Sequence, residues 1–137
     1  YSSAASDVYK RQGLSSPLLD VRQYIYDMAV VMAAADLVIS RAGASTLSEV
    51  TALGMPTILV PSPYVVANHQ EKNARLLESH GGAVMLTEEQ ATGEALYEST
   101  KDILQNPEKR RSMAKAMAEL GIPDATERIY NTLMALL

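Results

Sequence analysis

The stretch that decides the fold is residues 37–49, which read L-V-I-S-R-A-G-A-S-T-L-S-E. Its first three residues are apolar and predict a short buried strand, and a helical pattern begins at Leu47. Between strand and helix lies a turn of small residues, which are Gly43, Ala44, Ser45 and Thr46. Such a turn predicts an anion site, because the free backbone N–H groups and the dipole of the helix both point toward it.

This pattern alone leaves the function open. It lacks a complete G-x-G-x-x-G and the Lys of a phosphate-binding loop. A tight turn between a strand and a helix also favours Gly43 for reasons of backbone conformation alone. An anion site and a purely structural turn therefore both fit the residues.

Outward from this stretch, strand and helix patterns alternate along the chain. Asp27 is a candidate helix cap, Gly54 ends the central helix, and Asn106 with Pro107 begins a later helix. This alternation predicts an α/β fold with a parallel, Rossmann-like sheet flanked by helices. The predicted strands are residues 21–26, 37–39, 57–60 and 83–86, and the predicted helices are residues 28–35, 47–53, 70–80, 92–105 and 108–120 and a last helix from Pro123.

In a parallel sheet, ligands bind beyond the carboxyl ends of the strands. We therefore expect the loops that follow Tyr24, Ile39 and Val60 to share one crevice. This expectation places the turn of small residues at the edge of a binding site.

Composition narrows the class of protein. The chain has 137 residues, is 47% hydrophobic, carries a net charge of -4 and contains no Cys, as expected for one globular domain without disulfides. The acidic balance argues against nucleic acid as a partner, and no apolar run approaches the ~20 residues of a membrane span. The two His are eleven residues apart, so no metal site and no cofactor is predicted. No secretory signal is visible, and we expect a cytoplasmic location.

The first residues differ from the rest of the chain. The string S-A-A-S-D-V-Y-K-R-Q has no periodicity and resembles a translated adapter remnant. We predict a non-native or disordered segment at residues 1–14, and a single domain at residues 15–137 that is incomplete at its amino-terminal side.

Glu49 and Arg41 each have two interpretations. Glu49 lies three residues after Thr46, as in a capping box, but a carboxylate at this place can also accept hydrogen bonds from a ribose diol. Arg41 is either an ion-paired surface residue or a residue that stiffens the loop near a diphosphate.

A polar triplet precedes the helix that is predicted to begin at Gln70. Asn68 is a candidate N-cap, whereas His69 and Gln70 offer donors and acceptors to sugar hydroxyls or are merely exposed. Neither a Ser-His-Asp arrangement nor a pair of carboxylates with acid/base spacing is visible, and no residue is predicted to be catalytic.

Several strings, taken together, resemble one family. They are Y-I-Y-D-M from Tyr24, A-A-A-D-L-V-I-S-R-A-G-A-S-T-L-S-E from Ala33, G-M-P-T-I-L-V-P from Gly54, N-H-Q-E-K-N-A from Asn68 and I-P-D-A-T-E-R-I from Ile122. The family is that of the undecaprenyldiphospho-muramoylpentapeptide N-acetylglucosaminyltransferases of peptidoglycan synthesis. The resemblance covers about residues 21–137. It implies the carboxyl-terminal, nucleotide-sugar half of an inverting GT-B glycosyltransferase.

The resemblance implies a role for each candidate residue toward UDP-N-acetylglucosamine. The backbone of Ile25 meets uracil, with Tyr24 beside it, and Met28 is a further substrate-binding residue. Glu49 holds the ribose diol, even if it also caps the helix. His69, which replaces a Gln of some relatives, and Gln70 face the N-acetylglucosamine. The diphosphate and sugar are held by the backbone N–H groups of Gly43, Ala44, Ser45 and Thr46, aided by the Thr46 hydroxyl, and Arg41 is a further substrate-binding residue.

The resemblance also implies what these 137 residues lack. The family's amino-terminal domain binds the acceptor, a lipid-linked muramoyl pentapeptide, and the whole enzyme is peripheral on the cytoplasmic face of the membrane. Neither that domain nor the family's glycine-rich loop is present, so we expect no turnover from this chain alone. Two alternatives remain open, namely a donor-binding subunit like that of the two-part dolichol-linked transferases of eukaryotes, and a non-catalytic sugar-nucleotide sensor.

Overall fold

The structure is a computed structural model that describes residues 16–22 and 24–136. The chain divides into two units, Tyr1–Ala33 and Ala34–Leu137. The predicted non-native segment, residues 1–14, lies outside the described residues.

In the second unit, three parallel strands form the sheet. They are β1 (Val38–Ser40), β2 (Thr57–Leu59) and β3 (Ala83–Met85), in the order β1-β2-β3. Ile39 of β1 is in register with Ile58 of β2, which is in register with Val84 of β3. The predicted parallel α/β sheet is therefore confirmed, although each strand covers only three residues.

Helices follow the strands as the sequence pattern predicts. In the second unit they are α2 (Ala44–Ala52), α3 (His69–Ser79), α4 (Gly93–Leu104), α5 (Pro107–Leu120) and α6 (Ala125–Met134), and a short 3-10 helix covers Val66–Asn68. Pro107 occupies the first turn of α5, and the side chain of Asn106 accepts a hydrogen bond from the N–H of Lys109 at 3.0 Å. The predicted start of this helix is therefore confirmed. None of the helices described is long and apolar enough to cross a membrane.

The core of the second unit is centred on β2. Thr57, Ile58 and Leu59 are fully buried, as expected for a strand between two neighbours. Gly54 ends α2 with φ at +61°, and a Cβ at this position would lie 3.2 Å from the carbonyl oxygen of Ala114. Gly54 therefore supplies both the left-handed turn and the close approach of α5, and its predicted role at the helix end is confirmed.

In the first unit, one predicted strand is wrong. The described residues of 21–26 are irregular or in a turn, and Tyr24 and Tyr26 are 67% and 89% exposed. A β-branched and aromatic composition favours a strand only where a partner strand supplies ladder hydrogen bonds, and these residues form none. The turn leads into α1 (Met28–Ala33), which is two residues shorter than predicted. The carbonyl of Asp27 accepts hydrogen bonds from the N–H groups of Val30 and Val31, each at 3.1 Å.

Candidate functional site

The first turn of α2 presents three free backbone donors. Gly43 is the N-cap, with φ at -70° and ψ at 145°, and no side chain among the described residues caps the helix. The first amide to bond within the helix is that of Leu47, which donates to the carbonyl of Gly43 at 3.0 Å. Within the described ranges, the N–H groups of Ala44, Ser45 and Thr46 have no acceptor. Three free amides and the positive end of the dipole of this nine-residue helix make the turn suited to an anion.

Of the two interpretations of Glu49, the capping box with Thr46 is wrong. The helix begins three residues earlier than its apolar pattern indicates, so Thr46 lies inside the first turn and Gly43 is the cap. The small side chains at the start of α2 are compatible with helix but carry no apolar period, and a period-based prediction therefore misses them. Glu49 is exposed, and its side chain has no hydrogen bond or ion pair in the described part of the chain. Its carboxylate is therefore available to a ligand.

Neither backbone conformation nor packing within the described chain requires glycine at position 43. Its φ of -70° is accessible to any L-residue, and a Cβ at this position would meet no atom within 4 Å. The expectation that the turn requires Gly for its backbone is therefore wrong. The missing side chain leaves the three free amides open to approach.

Arg41 is both ion-paired and tied to a neighbouring loop. Its guanidinium forms a two-pronged ion pair with Glu88, in which Nη2 lies 3.1 Å from Oε1 and Nη1 also contacts Oε2. Nη1 donates to the carbonyl of Val60 at 3.2 Å as well. The hydrogen bond from Arg41 lowers the pKa of the Glu88 carboxyl below its ordinary value and raises the pKa of Arg41. Sequence reasoning missed Glu88, because no local pattern links residues 47 positions apart.

The loop between β2 and α3 ends in a left-handed backbone. Ala67 and Asn68 have φ values of 56° and 50°, which residues other than Gly rarely adopt. Asn68 is the N-cap residue of α3, as predicted, but its side chain does not cap the helix. It donates instead to the carboxylate of Glu71.

His69 and Gln70 present polar atoms beside this loop. Nδ1 of His69 lies 2.9 Å from the carbonyl oxygen of Val66, and a carbonyl only accepts, so Nδ1 carries the proton. In the neutral ring, Nε2 is then a free acceptor. The side-chain oxygen of Gln70 accepts from the N–H of Ser62 at 3.0 Å, which leaves its NH₂ group as a donor. The pair can therefore offer one acceptor and one donor to sugar hydroxyls.

The sheet brings these elements of the second unit together. Asn73 of α3 donates to the carbonyl of Ala42 at 3.5 Å and so links α3 to the residue before the cap of α2. Ala42 is fully buried. In the first unit, Tyr24 and Met28 are exposed and Ile25 is half-buried.

The acidic and His side chains of residues 16–22 and 24–136 do not cluster into a metal site. In those ranges, no group of three or more His, Asp or Glu side chains could hold a metal ion.

Comparison with protein families gives a match over most of the chain. The model described as "Glycosyltransferase family 28 C-terminal domain" matches residues 2–129. The chain belongs to family 28. The carboxyl-terminal half of a GT-B glycosyltransferase, implied by the sequence resemblance, is therefore confirmed.

Curated relatives of this family 28 domain share one name. A protein of Acetivibrio thermocellus is 53% identical over 117 residues, which are 85% of this chain and 32% of that protein. A protein of Bacillus pumilus is 46% identical over 124 residues, which are 90% of this chain and 34% of that protein. Both are named UDP-N-acetylglucosamine--N-acetylmuramyl-(pentapeptide) pyrophosphoryl-undecaprenol N-acetylglucosamine transferase. The chain thus spans about a third of the length of these relatives.

Solved structures agree with the family 28 assignment. MurG of Acinetobacter baumannii superimposes with a TM-score of 0.81 at 29% identity, over 95% of this chain and 38% of that one. The glycotransferase of kitacinnamycin superimposes with a TM-score of 0.65 at 21% identity, over 84% of this chain and 30% of that one. The second likeness shows the fold alone.

Proposed function

We propose that residues 15–137 are the donor-binding domain of an inverting glycosyltransferase. The whole enzyme transfers N-acetylglucosamine from UDP-N-acetylglucosamine to a lipid-linked muramoyl pentapeptide. The observation that carries the proposal is the open first turn of α2. There, three amides that have no acceptor among the described residues follow a glycine whose Cβ position has no atom within 4 Å. The names of the relatives supply the substrate class.

The diphosphate of the donor binds at this turn. The amides of Ala44, Ser45 and Thr46 donate to phosphate oxygens, and the Thr46 hydroxyl adds a fourth donor. Arg41 stiffens the loop beside the diphosphate. As charge develops on the departing UDP, these fixed donors and the helix dipole stabilise it without reorganising.

Glu49 accepts hydrogen bonds from the ribose diol. It lies on α2, one turn beyond the amides, and its carboxylate has no partner among the residues described. His69 and Gln70 bind the N-acetylglucosamine through Nε2 and the amide NH₂ group. Tyr24, Ile25 and Met28 stay predicted substrate-binding residues, and the family resemblance assigns the backbone of Ile25, with Tyr24 beside it, to the uracil.

We assign no base to this chain. In an inverting displacement, the base must lie within hydrogen-bond reach of the acceptor hydroxyl, on the face opposite the leaving UDP. The side chains named here surround the leaving group and the donor sugar instead. The base and the acceptor site therefore belong to the remaining two thirds of the enzyme. Because the acceptor of the named relatives is linked to undecaprenol, a lipid, we place the whole enzyme peripherally on the cytoplasmic face of the membrane.

Saturation-transfer NMR of the purified 137-residue chain tests donor binding. We expect saturation of the uracil, ribose and N-acetylglucosamine protons of UDP-N-acetylglucosamine, and none for ADP at the same concentration. Affinity should be low, because a site that lacks one wall loses pre-organisation. Equal saturation of ADP, or none of either nucleotide, would contradict the proposal, and sub-micromolar affinity would favour a self-sufficient binding module.

A chimera tests the transfer reaction. Residues of this chain replace the matched 117 residues of the Acetivibrio thermocellus relative, which are 32% of that protein. We expect the chimera to transfer N-acetylglucosamine to the lipid-linked acceptor. A folded chimera that binds acceptor but transfers nothing would refute the assigned activity.

A further inference from the structure

One guanidinium connects the carboxyl ends of all three strands. Arg41 directly follows β1, Val60 directly follows β2, and Glu88 lies three residues beyond β3. Arg41 donates to the Val60 carbonyl at 3.2 Å and to the Glu88 carboxylate through both terminal nitrogens. A bidentate hydrogen bond to a carboxylate fixes the plane of the guanidinium as well as its position. The contacts of Arg41 with Val60 and Glu88 therefore restrain the loop that leads into α2.

That loop is held at consecutive residues. Arg41 is held by Glu88 and Val60, and the next residue, Ala42, is fully buried with its carbonyl 3.5 Å from Nδ2 of Asn73. Gly43 then caps the helix with extended backbone. Only two peptide units separate Arg41 from the first free amide of α2. A shift at Arg41 therefore changes the direction in which that amide points.

We propose that Glu88 is a positioning residue for the donor's diphosphate, acting through Arg41 on the first turn of α2. The inference rests on the proposed function, because the ligand at that turn is the one assigned above. Glu88 does not touch the donor. It fixes the guanidinium of Arg41, and the loop that contains Arg41 orients the free amides of α2.

Direct electrostatics and positioning predict opposite results for Glu88. A carboxylate close to an anion site repels the ligand, so removal of its charge alone should tighten UDP binding. If Glu88 instead orders the loop, its removal should weaken binding, because the amides lose pre-organisation. The sign of the change in affinity therefore separates the two effects.

Glu88→Gln in the 137-residue chain provides the test, with Kd for UDP-N-acetylglucosamine measured by NMR titration. We expect Kd to rise about two- to fivefold, the range that corresponds to a half-exposed ion pair. The matched control is Glu89→Gln, which removes the same charge from the neighbouring residue. The Glu89 side chain is exposed and forms no ion pair in the described ranges. The control should bind as the parent does, or slightly more tightly.

A double variant shows whether Glu88 acts through Arg41. In an Arg41→Gln background, Glu88→Gln should cause no further loss of affinity, whereas additive losses would overturn the proposal. The melting temperature should hardly change, because the side chains of the pair are 52% and 43% exposed. If Glu88→Gln lowered the melting temperature enough for partial unfolding to explain the weaker binding, Glu88 would have a structural role only, and the proposal would be refuted.

Two failures remain distinguishable. If the parent chain binds no UDP-N-acetylglucosamine, the proposed function fails. If the parent binds but Glu88→Gln binds equally well or more tightly, only the role of Glu88 is refuted.

Discussion

Gly43→Ser should stabilise the fold and weaken donor binding at the same time. The position has the backbone conformation of an N-cap. In the part of the chain that the structure describes, no side chain caps α2, and a Cβ at position 43 would meet nothing within 4 Å. Ser is a preferred N-cap residue, because its hydroxyl accepts from an amide in the first turn. The substitution therefore fits the fold without strain.

The two effects differ in size as well as in sign. Relative to Gly, a Ser cap contributes about 0.3 kcal/mol, which raises the melting temperature of a domain of this size by about 1 °C. The hydroxyl occupies an amide that the diphosphate needs. Loss of one charge-assisted hydrogen bond costs at least about 1.5 kcal/mol, so Kd for UDP should rise about tenfold or more.

Differential scanning fluorimetry and an NMR titration with UDP measure the two quantities. Gly93→Ser is the matched control, because Gly93 begins α4, which is not assigned to the site, and a Cβ there also meets nothing within 4 Å. It should leave Kd unchanged. A Gly43→Ser variant that binds UDP as the parent does would refute the assignment of the diphosphate to this turn.

Other predictions concern three polar side chains. Glu49→Ala should weaken UDP binding about 10- to 150-fold, because a charge-assisted hydrogen bond is lost. Its melting temperature should equal that of the exposed control Glu119→Ala. A lower melting temperature with unchanged affinity would contradict the ribose assignment. The pKa of the Glu88 carboxyl, followed by carbon NMR, should lie below its ordinary value of 4.5 and return toward it in Arg41→Gln. Since this pKa is lowered in the folded chain, the pair is intact above pH 4.5 and is lost only as pH falls through the lowered value. His69→Gln in the chimera should keep kcat within about tenfold, because loss of a general base costs roughly 10²–10⁴-fold; a drop into that larger range would make His69 catalytic.

Local signals in the sequence predict two of the helix boundaries. Asn106 and Pro107 begin α5 as expected, and Gly54 ends α2 with a left-handed backbone. These features depend on residues next to each other in the chain, since a cap or a turn is satisfied within one helical turn. The parallel sheet followed from the alternation of such elements.

Tertiary contacts decided what the sequence could not show. The pairing of Arg41 with Glu88 spans 47 residues and depends on β1 and β3 lying in one sheet. The start of α2 at Ala44 was missed because small residues carry no apolar period. Residues 21–26 have strand-like composition, but pairing with another strand, not composition, makes a strand.

Residue-resolved NMR tests the central claim most directly. Spectra of the ¹⁵N-labelled 137-residue chain are recorded during titration with UDP-N-acetylglucosamine. We expect the largest amide shifts at Ala44, Ser45 and Thr46, and we expect these shifts to saturate with one Kd. Shifts that saturate elsewhere in the chain while these three amides stay in place would contradict this claim.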